Sequence, residues 1–253
     1  MKRCMRAAML VLGLMLVVND PAISVDTETD ANIVTGLDIS NSIDPDKLRQ
    51  ELVGLAQAVR DPRVMTAIKA GERGRIGFAV FAWHHGQFPA VVPWMIIASP
   101  QDAEVAARAI EARQLVDLEL EGRAQVKWYI GRLTDISQAI EYADAMLLTA
   151  PYAANGAVIN IVGNGEDNVG ENSAAARDRF VARGGTINGL VLGQDAAMIA
   201  YYRDRVIGGR GSFVMSIDRN TAMADAFARK FIADIVAQTP ARSAHGPAMT
   251  GGL

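Results

Sequence analysis

The chain has 253 residues, half of them apolar, with 25 Lys and Arg against 28 Asp and Glu for a net charge of −3. That length fits one α/β domain with ample apolar material for a covered sheet, and the mildly acidic balance gives no electrostatic reason to bind nucleic acid or an anionic membrane. The single cysteine, Cys4, lies at the extreme N-terminus, so disulfides and thiol chemistry are not expected in the body of the chain.

The chain opens with Lys2, Arg3 and Arg6, runs apolar from Ala7 to Val18 and breaks at Asn19-Asp20-Pro21, with small residues at Ala22 and Ser24. Residues 1–24 therefore read as a secretory signal peptide; the apolar stretch is shorter than the ~20 residues of a spanning helix. Cys4 precedes that stretch, the wrong side for a lipoprotein cleavage site. The expected location is periplasmic or secreted. A domain follows over residues 25–237, and a tail rich in Ala, Gly, Pro and Ser over 238–253 is expected to be disordered.

Residues 25–31 read as a polar leader. Ile33–Leu37 is a short β-rich run, apolar on both faces as a buried parallel strand requires, and it ends at Asp38-Ile39-Ser40-Asn41-Ser42. Asp44 as N-cap and Pro45 at the first helical position start a helix. Its apolar face (Leu48, Leu52, Leu55, Ala56, Val59) runs until Asp61-Pro62 stops it. Arg75–Phe81 is the second strand. Phe88–Ile97 is the third, and its prolines, Pro89 and Pro93, place it at the sheet edge, antiparallel to its neighbour. A helix runs from Ser99-Pro100 to about Glu111, while residues 113–132 give no clear signal. Clear alternation resumes at Thr134: a helix with Ile136, Ala139, Ile140, Ala143 and Leu147 on one face, a strand over 157–162, a helix over 173–183 closed by Gly184-Gly185, a strand over 186–192, a helix over 196–206, a strand over 212–217 and a helix over 223–236. The pattern predicts an α/β fold, a doubly wound and mostly parallel sheet with helices on both faces and one antiparallel edge strand.

Such sheets bind ligands at the carboxyl ends of their strands, where strand order reverses. Three polar loops fall there: Asp38–Ser42, Gly131–Ile140 and Gly163–Asn168. The strand ending in Asp38-x-Ser40-x-Ser42 resembles the metal-ion-dependent adhesion site (MIDAS) of von Willebrand factor A (vWA) domains. Thr134, followed five residues on by Ala139-Ile140, is similar to the family's second element. Gly163-Asn164-Gly165 corresponds to its third, usually Thr-Asp-Gly. The likeness runs over nearly the whole chain after residue 24, and within the family it resembles the exported proteobacterial DUF1194 proteins. The resemblance implies a Rossmann-like vWA fold and a divalent-metal site built from Asp38, Ser40, Ser42, Thr134 and Asn164.

The chemistry agrees with that implication. A hard cation such as Mg²⁺, or Mn²⁺ in its place, takes about six oxygens. Hydroxyls spaced two apart, Ser40 and Ser42, can face the same way from an extended loop, Thr134 adds a third, and Asp38 supplies charge directly or through water. A set so poor in charge leaves the ion electrophilic, with a position open to an Asp or Glu carboxylate of a protein partner. Asn164 in place of Asp removes one negative charge and should lower metal affinity; Glu166 or Asp167 compensates if the loop bends back.

Other features read more plainly. Gly163-x-Gly165 is followed by Asn168 rather than a third Gly, so it is no dinucleotide fingerprint. His84-His85 reads as an exposed hairpin turn, Ser137 as structural, Trp94, Trp128 and Tyr129 as packing residues, and Tyr201-Tyr202 as one ring buried and one exposed. With three histidines, no Gly-x-Ser-x-Gly elbow and no His-Glu-x-x-His helix, the chain is expected to be a binding module rather than an enzyme. The alternatives are a metal-free docking scaffold in an envelope complex, favoured by Asn164, and a metal-dependent hydrolase using Asp38, with Asp135 or Asp167 assisting and Arg132 as the only nearby cation.

Overall fold

The computed structural model describes residues 28–40, 45–113, 133–169, 172–217 and 222–238. The signal-peptide reading, the tail beyond Gln238, Ser42, Asp44, Arg132, Trp128, Tyr129 and His245 lie outside the described residues.

The elements follow in chain order: β1 Glu28–Asp38, α1 Pro45–Arg60, α2 Pro62–Ala70, β2 Ile76–Trp83, β3 Ala90–Ile97, α3 Pro100–Ala112, α4 Ile136–Leu148, β4 Ala153–Gly163, α5 Ser173–Ala182, β5 Thr186–Leu192, α6 Ala196–Tyr201, β6 Val214–Ile217 and α7 Met223–Gln238. The strands form one sheet in the order β3-β2-β1-β4-β5-β6. All neighbours are parallel except β2 and β3, so the expected antiparallel edge strand is present, with Pro93 exposed on it.

Several boundaries differ from the sequence expectation, β4 among them, which begins at Ala153 rather than 157, and three differences stand out. β1 starts at Glu28, inside the stretch read as a polar leader, because its polar residues find partners there: Thr29 donates to Asn32 Oδ1 at 3.0 Å and Asn32 Nδ2 to the Tyr152 carbonyl at 2.7 Å. Asp61-Pro62 stops α1 and also starts α2, because the Asp61 side chain accepts the Arg63 N–H as N-cap and Pro62 occupies the first turn. The helix after β5 widens at Tyr202–Val206 into a π-helical segment, the rare geometry that often accompanies functional sites.

A buried core fills each face of the sheet. Ile33 and Leu37 of β1 pack with residues of α1, α2, α3 and α7 on one face; Val34 packs with residues of α4, α5 and the π segment on the other. Strand alternation then sends Asp38 to the same side as Val34 and Gly36. Gly36 has to be small: a Cβ there would lie 2.7 Å from Phe81 Cζ and 3.0 Å from Trp83 Cδ1. Strands are added outward in one direction from β1 to β3 and in the other from β4 to β6, so the order reverses between the parallel neighbours β1 and β4 and the switch point opens above Asp38 and Gly163.

Candidate functional site

Asp38, the last residue of β1, is fully buried. Its Oδ1 accepts the Ser40 N–H at 2.8 Å, the short-range turn that fixes the loop leaving the strand. Its Oδ2 has no hydrogen-bond partner of normal geometry among the described residues. Burial lifts the carboxyl from 3.8 to about 6, and the Ser40 and Asn164 backbone N–H groups offset only part of that rise. The Tyr202 hydroxyl, also fully buried, has no partner either. Both atoms crowd Gly163: a Cβ there would lie 2.8 Å from Tyr202 Oη and 3.0 Å from Asp38 Oδ2. Only glycine permits that approach at the end of β4.

Thr134 is held from two directions. Its N–H donates to Asn168 Oδ1 at 2.9 Å and its carbonyl accepts the Asn168 N–H at 3.0 Å, clamping it to the loop after β4. The Thr134 hydroxyl lies 3.0 Å from where a Gly165 Cβ would sit. One side of the 163–165 loop thus meets Asp38 and the other meets Thr134, with Asn164 between them. Four of the five expected ligands, Asp38, Ser40, Thr134 and Asn164, are gathered at this switch point, three of them buried and Asn164 half-buried.

Of the two acids in the third loop, Asp167 is engaged away from Asp38. Glu166 is exposed. Asp167 turns to the start of α4, where Oδ2 accepts the Ser137 N–H at 2.9 Å, and its Oδ1 accepts the Val169 N–H at 3.3 Å.

Sequence reasoning missed the scaffold behind Thr134. The His84-His85 pair does sit in a tight turn, with Gly86 at φ 74°, but both histidines are half-buried rather than exposed. His85 Nδ1–H donates to Asp135 Oδ2 at 2.7 Å, and its backbone N–H donates to the Leu133 carbonyl at 3.3 Å. Asp135, 1% exposed, also caps α4 through Gln138 N at 3.0 Å and accepts the Ser137 hydroxyl at 2.8 Å. The residue after Thr134 is therefore pinned by a histidine from the β2–β3 turn, fifty positions away in sequence. The hydroxyl of half-buried Tyr201 accepts the Asp167 N–H and shares a hydrogen bond with Ser173 Oγ, both at 3.1 Å. The signals available were Asp135 directly before a helix and two adjacent tyrosines, and neither reveals its distant partner.

The donors suit a hard divalent cation better than a soft one. They are oxygens, mostly neutral, around one buried carboxylate oxygen that lacks a partner. Among the described residues no group of three or more His, Cys, Asp or Glu side chains gathers to hold an ion, so any ion here depends on hydroxyls. No helix among the described residues is long and apolar enough to cross a membrane.

Comparisons with known proteins agree with this architecture. A family model described as "Protein of unknown function (DUF1194)" matches residues 28–239. No curated protein sequence matches. Among solved structures, the SpRpn10 VWA domain superposes with a TM-score of 0.50 at 11% identity, over 78% of this chain and 93% of that one. Proximal thread matrix protein 1 from the mussel byssus gives 0.49 at 14% identity over 85% of this chain. A form of it described with a zinc-occupied MIDAS motif gives 0.48 at 14% identity over 84% of this chain and 46% of that one. The chain spans 47% of the length of that mussel protein. Identities this low speak for the fold alone.

Proposed function

The chain belongs to the DUF1194 family and has a vWA-type fold, and from that premise we propose that it is an exported binding module whose strand-end site holds Mg²⁺ or Mn²⁺ and captures a carboxylate of a protein partner. The observation that carries this reading is the buried Asp38 carboxyl, gathered with Ser40, Thr134 and the Gly163–Gly165 loop at one strand end, with an oxygen short of a hydrogen bond of normal geometry among the described residues. A buried unsatisfied polar atom costs roughly 1–3 kcal/mol, and more when charged, so a position that retains one calls for a ligand.

In the proposed arrangement Ser40, Ser42 and Thr134 supply neutral oxygens. Asp38 supplies charge directly or through water, and Asn164 offers an amide oxygen where relatives of this fold usually carry a second acid. A bound ion would contribute Lewis acidity toward an incoming carboxylate. The chain's own residues hold the geometry: Asn168 clamps Thr134, the His85–Asp135 pair fixes the start of α4, and the Ser40 N–H orients Asp38. No catalytic role is assigned to any residue. A metal-free docking scaffold is the second reading, favoured by Asn164.

A pull-down from envelope extract separates the two. The full chain should retain its partner with Mg²⁺ and release it in chelator, and Asp38→Ala should not retain it at all. Equal retention in chelator would favour the metal-free scaffold.

A further inference from the structure

A second site opens on the opposite face of β1 from the Asp38 side chain. Between α1, the carboxyl ends of β5 and β6, and the start of α7 lies a cleft of about 1210 Å³. Its walls are mixed: Val53, Leu192, Ile217 and Met223 are apolar, and Gln57 and Gln194 carry amides. Gly54 sets its shape. A Cβ there would lie 2.5 Å from Met223 Cγ, so α7 begins directly against the α1 backbone.

Glu51 also lines the cleft. It is 1% exposed, yet its Oε2 has no hydrogen-bond partner among the described residues. No salt bridge among the described residues reaches it. Lys47, one turn earlier, acts on it only through space, and Arg49 is engaged with Asp46 at 2.8 Å. The other charged group that acts on it is Asp38, a second carboxyl. Nothing in the sequence around Glu51 marks it as buried, since Lys47, Arg49 and Gln50 precede it on the same helix.

Burial first and the through-space repulsion of Asp38 second lift the Glu51 carboxyl to about 8, with Lys47 offsetting part, so at neutral pH it holds its proton, and a cation placed against it would favour its ionised form. The apolar walls beside it favour a cation that carries a hydrocarbon body, and ligand pockets generally combine such walls with a few placed polar groups. We infer that this cleft is a second binding site, taking a small organic cation (a primary amine or guanidinium on a short apolar chain) with its charged head on Glu51. A hydrated divalent ion fits less well, because among the described residues the only other charged side chains lining the cleft are Lys47 and Arg49, and no second acid joins Glu51.

The test uses the full chain with saturating Mg²⁺ and four probes of equal chain length: n-butylamine, butylguanidine, n-butanol and butyrate. Ligand-observed NMR and thermal shift should show saturable binding of the two cations, at least about tenfold tighter than the alcohol, which corresponds to 1.4 kcal/mol, and no binding of butyrate. Glu51→Gln should abolish cation binding while keeping the fold and the Mg²⁺ titration. Val53→Trp, which leaves Glu51 intact and fills the mouth, should also weaken it. Cation binding should survive in Asp38→Ala, so this site and the metal site are read separately. Equal binding of alcohol and amine, unchanged binding in Glu51→Gln, or displacement of the amine by Mg²⁺ would each overturn the inference.

Discussion

At the scale of single residues, Asp38 sets the stability of the metal-free chain against its binding. Its folded pKa of about 6 lies above the ordinary 3.8, so the folded state holds this proton more tightly than the unfolded state does. The penalty is absent below pH 3.8, grows between 3.8 and about 6, and is complete above. About two pH units correspond to about 3 kcal/mol. In chelator, Asp38→Asn should therefore match the wild type at pH 4 and exceed it by about 3 kcal/mol at pH 7, measured by urea unfolding at each pH; a difference that stays constant with pH would refute the account of its burial. His85 acts at one remove. Losing its 2.7 Å bond to Asp135 frees the residue that follows Thr134, so His85→Ala should weaken Mg²⁺ binding roughly three- to tenfold, and His85→Asn, which keeps a donor, should restore part of it. If both variants bind Mg²⁺ like the wild type, the histidine is packing only. The sequence could not display this: His85 and Asp135 each have a bland local reading, and only the fold brings them together.

At the scale of elements, α7 is fastened to the sheet by a buried polar network. Lys230 and Asp234, one turn apart and both about 1% exposed or less, meet Asn160 of β4 and Asn188 of β5. Asn160 Nδ2 and Asn188 Nδ2 donate to the two Asp234 oxygens at 2.8 Å each, and Lys230 donates to Asp234 Oδ1 at 3.2 Å and to Asn160 Oδ1. Removing one partner strands the other charge, at about 3–5 kcal/mol. Lys230→Met should lower stability by that amount, visible as a shifted denaturation midpoint with an unchanged slope; a loss under about 1 kcal/mol would contradict it. Alternating apolar runs and Gly or Pro punctuation made the order and type of the elements legible, including the proline-bearing edge strand. Periodicity failed where polar residues are buried, as at Thr29, Asp30, Asn32, Lys230 and Asp234, because it counts polarity as exposure. The stop at Asp61-Pro62 hid α2 for a related reason: the same dipeptide ends one helix and caps the next.

At the scale of the molecule, the doubly wound sheet brings loops from β1, from the start of α4 and from β4 to one switch point, and that convergence is what the functional proposal rests on. Three separated sequence segments pointed to it because each ends or begins a regular element; the scaffold beneath them was invisible because it is made of pairings between distant segments. An ion that binds only the folded chain stabilises it by mass action, about 2.7 kcal/mol at a hundredfold excess over Kd. The melting temperature should therefore rise with Mg²⁺ in the wild type and stay flat in Asp38→Ala. The most direct measurement is a calorimetric titration of the full chain with Mg²⁺ at pH 7. One ion per chain is predicted, lost in Asp38→Ala and in Thr134→Ala. Superimposable isotherms for the wild type and both variants would contradict it.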